Sequence, residues 1–180
     1  MSTAYYYFAA SLPMIVFGEP APFSVENFLE DCERLLSPAD LADIQLIWNP
    51  DPGVIARNRL VRAWLSFDHD FRNEMAWFRA NEFNKDADEY LRGIRSFDPQ
   101  IVEALAQAAK AGNPLEAEKI LDQLRWNRIE DLARGHFFDM DILAAYALKL
   151  KILARYEVIA SDQGAKHFEE LKSAAAEVDI

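Results

Sequence analysis

The chain has little of what reactive or metal-binding sites are usually built from. It holds one cysteine, Cys32, among 180 residues. An intramolecular disulfide and a zinc ribbon are therefore excluded, and a lone thiol on the apolar side of a helix fits a reducing cytoplasm. Its flanking Glu30, Asp31 and Glu33 predict a raised thiol pKa and a blunted nucleophile. The three histidines, His69, His136 and His167, are far apart. None falls in a Glu-x-x-His, His-x-x-x-His or His-Glu-x-x-His spacing, so neither a di-iron nor a zincin site is written here. Six glycines are too few and scattered to cradle a phosphate, and Gly-x-x-x-x-Gly-Lys is absent. No apolar run is long enough to span a bilayer. No segment alternates with period two, and no Asn-Gly or Asp-Gly hairpin signal occurs. Basic residues are also outnumbered, and a net charge of −11 argues against wholesale binding to nucleic acid or an anionic membrane face.

What the chain does have begins with Tyr5-Tyr6-Tyr7-Phe8-Ala9-Ala10-Ser11-Leu12-Pro13-Met14. Ordering such a segment costs conformational entropy, so its apolar surface has to be packed into a core or against a partner. No lysine or arginine precedes it and Pro13 breaks the apolar stretch, so mature structure is expected here and not a secretion signal.

The remaining pattern is helical. Ser24 caps an expected helix over residues 25–36, and Ser37-Pro38 starts another that ends at Asn49-Pro50-Asp51-Pro52-Gly53. A long helix is predicted from Val54 to Asn81, with Val61, Trp64, Phe71, Met75 and Phe78 as its apolar seam and Asp68 interrupting it. Asp98-Pro99 opens a helix predicted to end at Gly112. Asn113-Pro114-Leu115-Glu116 opens the next, which Gly135 closes. Asp139 or Asp141 caps a long apolar helix through Ile159, and a short one follows Gly164. The expected fold is all-α, a single helical domain over 1–180 of seven to eight helices. Two packed lobes, 1–96 and 97–180, are the alternative arrangement.

Charge is unevenly spread. Residues 1–56 carry eight acids against Arg34 alone, whereas 57–95 carry eight basic and seven acidic residues. Arg57, Arg59, Arg62, Arg72 and Arg79 crowd this middle section. One reading is a solvated face paired at i,i+4 with Asp68, Asp70 and Glu74; the other is a docking face for an acidic partner. Asp68-His69-Asp70 is the one local cluster with metal-ligand chemistry, and a capping or surface role competes with it. Trp48, Trp64, Trp77 and Trp126 and the twelve phenylalanines fall mostly at helical spacing, as core packing requires. No catalytic constellation, cofactor site or metal site is assigned, and the chain is expected not to be an enzyme.

The block from Tyr5 to Met14 resembles the start of an uncharacterised bacterial family encoded in V/A-type ATPase operons. Arg72-Asn73-Glu74-Met75 with Arg79-Ala80 is similar to that family's central helix motif. Phe138-Asp139-Met140-Asp141 with Tyr146, Lys149-Leu150 and Arg155 is similar to its C-terminal helix. The resemblance implies a non-enzymatic subunit or accessory protein of the ATPase. It would be a shortened relative of the C (d) subunit, seating the central stalk on the membrane rotor ring. A transient assembly factor or regulator of the same ATPase is one alternative; a small helical metal enzyme using Asp68, His69 and Asp70 is another. Its implied location is cytoplasmic and peripheral to the inner membrane, without insertion into it. Tyr5, Tyr6, Tyr7, Arg57, Arg59, Arg62 and Arg72 are the expected partner-binding residues, with stalk or ring subunits as partners and no nucleic acid.

Overall fold

Polar side chains placed one residue ahead of apolar stretches start most of the helices. The computed structural model describes residues 3–160. Within them are α1 (Thr3–Ser11), α2 (Val25–Leu35), α3 (Pro38–Trp48), α4 (Arg59–Glu82), a 3₁₀ turn (Ala87–Tyr90), α5 (Pro99–Ala108), α6 (Pro114–Leu132) and α7 (Met140–Ala160). The chain is all-α, with no strand among the described residues. The short helix expected after Gly164 lies outside them.

The caps follow the local sequence. The Ser24 hydroxyl accepts from the Asn27 N–H at 3.2 Å, and Ser37, with Pro38 at the first helical position, accepts from Asp40. Asp98 accepts from Gln100 and Asn113 from Glu116, again with a proline next in sequence. Each side-chain acceptor satisfies an N–H that the helix itself leaves unpaired. Asp139, not Asp141, caps α7 by accepting from the Ile142 N–H. Gly135 follows α6 at φ +86°, a conformation in which a Cβ would be strained.

Two boundaries differ from the sequence expectation. The long helix starts at Arg59 and not at Val54, because the Asp43 carboxylate of α3 takes the Arg57 and Asn58 backbone N–H groups at 2.8 and 2.6 Å. Those donors are held outside any helical ladder, and Asn58 caps the helix through the Val61 N–H at 2.9 Å. The next helix ends at Ala108, short of Gly112.

Helix α7 is the centre of the molecule. Leu143, Ala144, Ala147, Leu148, Leu150 and Leu153 are all buried, and α1, α2, α3, α4 and α6 pack around it. Its alanines let neighbouring helices approach closely. Phe8 of α1, Phe28 of α2 and Tyr146 of α7 form a run of stacked rings, with centroids 5.9 and 5.6 Å apart. The core is continuous from Phe8 to Leu153 and crosses the residue 96/97 boundary. Full burial of one such side chain contributes roughly 1.5–3 kcal/mol.

Candidate functional site: an aromatic and arginine end

The tyrosine block divides by residue. Phe8 is buried in the core. Tyr5 is half-buried; its hydroxyl donates to Asp40 and accepts from the Ser37 N–H at 3.3 Å, tying α1 to the start of α3. Tyr6 and Tyr7 turn outward, with Tyr7 68 % exposed. Their rings meet edge to face at 5.6 Å, and Tyr6 lies 4.5 Å from Phe138, centroid to centroid. Phe137 and Phe138 are themselves exposed, so α1 and the turn before α7 present four aromatic rings to solvent.

The same turn leads to the arginines. His136 Nδ1 lies 2.6 Å from Asp139 and its Nε2 lies 3.3 Å from Asp141. The Asn58 side-chain amide donates to Asp141, joining the start of α4 to the start of α7. Arg59 is close enough to act on His136 electrostatically. Arg57, Arg59 and Arg62 are exposed and hold no ion pair among the described residues. Two stretches named separately in the sequence, the tyrosines and the first arginines, are thus both tied to the segment that leads into α7, Tyr6 through Phe138 and the start of α4 through Asn58 and Arg59. Positions 136–138 complete that surface and were missed; consecutive aromatics between Gly135 and the α7 cap were the available signal.

The hydrogen bond that the His136 ring donates to Asp139 is the main reason the histidine pKa lies above its ordinary 6.5. Burial opposes the shift, the Asp139 and Asp141 charges add to it, and Arg59 opposes it again. Protonated His136 adds one more cation beside Arg59.

Arg72 does not join this surface. It lies about 15 Å further along the α4 axis than Arg62 and is turned roughly 80° around it. Its Nε donates to Asp68 at 2.7 Å, the i,i+4 pairing expected of a solvated face. His69 faces Asp70 at 3.5 Å, whereas Asp68 is held by Arg72, so the three side chains of Asp68-His69-Asp70 do not form one group. No group of three His, Cys, Asp or Glu side chains that could hold a metal occurs among the described residues. Cys32 is fully buried, and that burial, with Asp31 and Glu33 beside it, pushes its thiol up to about 12.

Asn73 and Glu74, which follow Arg72, point inward. Asn73 exchanges two hydrogen bonds with the Arg92 backbone at 2.9 and 3.0 Å. Glu74 holds Arg95 through both carboxylate oxygens at 2.7 and 2.8 Å, while the guanidinium stacks 3.9 Å from the Trp77 centroid. Both residues fasten the 91–95 loop onto α4. That part of the motif is structural.

Residues 107–176 match the model of a family described as "Protein of unknown function (DUF2764)". The description assigns no activity. The match takes in α6, the His136–Phe138 turn and α7; it leaves out the tyrosines and the arginines of α4. No curated protein and no solved structure matches the chain. No helix among the described residues is long and apolar enough to cross a membrane.

Proposed function

We propose that this chain is a non-enzymatic helical subunit or accessory protein of a V/A-type ATPase, acting as an adaptor between the central stalk and the membrane rotor ring. The observation that carries an interaction role is the exposure of Tyr6, Tyr7, Phe137 and Phe138 together with the approach of Arg59, in the exposed arginine stretch Arg57, Arg59 and Arg62 at the start of α4, to His136 in the turn that carries the two phenylalanines. Tyrosine and arginine dominate binding energy at protein interfaces because they combine large contact area with directed hydrogen bonding. Here the rings are carried by α1 and the turn before α7, with Tyr6 packed against both Tyr7 and Phe138, so docking would order few side chains. The choice of an ATPase as partner rests on the operon-family resemblance of the Tyr5–Met14 block and the two helix motifs. The mechanism is mechanical: a rigid helical body passes torque or position through a packed, arginine-anchored contact.

The test is a native pull-down of tagged protein from membranes, with stoichiometry by mass spectrometry. Stalk and ring subunits at about one copy per complex are expected. The doubly charge-reversed variant, Arg59→Glu with Arg62→Glu, is expected to retain full helicity and weaken recovery by about thirtyfold or more, the loss of an interface hot spot. Trace recovery would point to a transient assembly factor. Absence of ATPase subunits would end the adaptor reading, and undiminished recovery of the variant would end the assignment of this face.

A further inference from the structure

Arg72 opens onto a second feature of the molecule. Between α4, α6 and α7 lies a cleft of about 150 Å³, floored by Trp64, Leu148 and Ile152. Its walls carry Arg72, Arg125, Lys151 and Arg155 against only two carboxylates, Asp68 and Asp122. This excess of cations sits in a chain whose net charge is −11.

Both carboxylates are already engaged. Asp122, fully buried, accepts from Arg125 Nη1 at 2.7 Å and from Arg155; Asp68 accepts from Arg72 Nε. Glu118, outside the cleft, also takes Arg155 at 3.1 Å. The Lys151 ammonium has only neutral partners, the Ile47 carbonyl at 2.6 Å and the Trp48 carbonyl at 3.5 Å. These close the C-terminus of α3, whose dipole supplies about half a negative charge.

Hydrogen-bond donors remain. A guanidinium carries five N–H groups in a planar fork. Arg72 donates through Nε alone and Arg125 through Nη1 alone, so each keeps donors with no partner among the described residues. Arg125 is positioned firmly, with its guanidinium 4.1 Å from the Phe71 centroid and its side chain only 14 % exposed. Burial lowers the Lys151 pKa, as expected for an ammonium without a carboxylate in hydrogen-bond contact. The cleft has room for about five waters, enough for a tetrahedral oxyanion and too little for a whole nucleotide.

We propose that this cleft binds a phosphate-class oxyanion, either free phosphate or the terminal phosphoryl group of a small ester, held by Arg72, Arg125, Lys151 and Arg155. Guanidinium forks match the oxygen spacing of phosphate, and the ammonium adds a point charge. The apolar floor lowers the local dielectric and strengthens each contact. The site is distinct from the aromatic and arginine end and stands or falls independently of the ATPase reading.

The experiment is calorimetric titration of the full chain with inorganic phosphate and, separately, with glycerol 2-phosphate, each against chloride at equal ionic strength. Saturable binding of phosphate in the millimolar range or tighter is expected, with sulfate competing. Binding of the ester as well would identify a phosphoryl-group site; binding of phosphate alone would identify a free-ion site. Arg72→Gln gives up only the contact with exposed-side Asp68, and it should keep its helicity while losing about tenfold in affinity, as for one charge-assisted hydrogen bond. Arg72→Lys should recover part of that loss, and Arg34→Gln, on α2, should lose none. No saturable effect beyond chloride, or equal affinity in wild type and Arg72→Gln, would overturn the proposal.

Discussion

Glu74 is a carboxylate placed almost wholly out of water, at 1 % exposure, and Arg95 answers it with two hydrogen bonds. A pair of this kind adds little net stability, because desolvation offsets most of the attraction. Removing one partner is different, since an uncompensated charge is left inside. Arg95→Ala is therefore expected to destabilise the fold by about 3–5 kcal/mol. At roughly 2–4 °C per kcal/mol for a chain of this size, the thermal midpoint should fall by at least about 6 °C. The paired replacement Glu74→Leu with Arg95→Met should cost much less; equal losses in the two variants would mean that the ion pair is not the cause. His136 gives a prediction with a pH sign. Its folded pKa is raised above 6.5, chiefly by the hydrogen bond to Asp139, so the protonated form binds more tightly in the folded state. The resulting stability is fully present below the unfolded value and is lost as pH rises through the folded one. Wild type should exceed His136→Gln in denaturation midpoint on the acid side, with the gap narrowing as pH rises. A gap independent of pH would show that the imidazole's charge contributes nothing.

Among the helices, what was legible in the sequence is what depends on neighbouring residues. Ser24, Ser37-Pro38, Asp98-Pro99 and Asn113-Pro114 start α2, α3, α5 and α6 through bonds to residues two or three positions away. Cys32 read correctly as a thiol of raised pKa, since burial on the apolar side of α2 is the larger cause and Asp31 and Glu33, adjacent in sequence, add to it. The start of α4 was not legible, since Asp43, fourteen residues before Arg57, withdraws the N–H groups that would have extended the helix. Nor was its end. Lys85 donates to the Ala80 carbonyl at 2.8 Å and Asn84 to Asn81 at 3.2 Å, with Asn84 at φ +52°, a left-handed close that asparagine tolerates better than most residues. Asn84→Gly should hold or raise the midpoint while Asn84→Val lowers it; matching midpoints would remove the conformational explanation. The candidate face was legible in its parts only. Composition singled out Tyr5–Tyr7 and local charge singled out Arg57–Arg62, but the link of each stretch to the segment leading into α7 depends on the Tyr6–Phe138 and Asn58–Asp141 contacts, more than 80 residues apart in sequence. Glu74 was open to reading as a solvated partner of the arginines for the same reason, its burial being set by how α4 packs in the folded chain.

For the molecule as a whole, the position of α7 decides how the two halves depend on each other. Helices α1 to α4 pack on α7, which belongs to the second half of the chain, and α5 packs on both α4 and α6. Phe28, Ile44 and Val61 of the first half are each wholly out of water in a core shared with Leu143, Leu148 and Leu153. Without α7 those first-half side chains face solvent, and α1, α2 and α3, at 9, 11 and 11 residues, are too short to hold their structure by propensity alone. The two halves are therefore expected to unfold together. In the full chain, helical ellipticity and tryptophan fluorescence, reported by Trp48, Trp64 and Trp77 in one half and Trp126 in the other, should share one denaturation midpoint. The fragment 1–96 should lack near-ultraviolet ellipticity and show no cooperative transition, and adding the fragment 97–180 should restore both. A cooperative transition in fragment 1–96 by itself would instead establish an independent lobe. It would also mean that Tyr6 and Arg59 keep their fold without Phe138, separating the aromatic and arginine parts of the candidate face into surfaces testable one at a time.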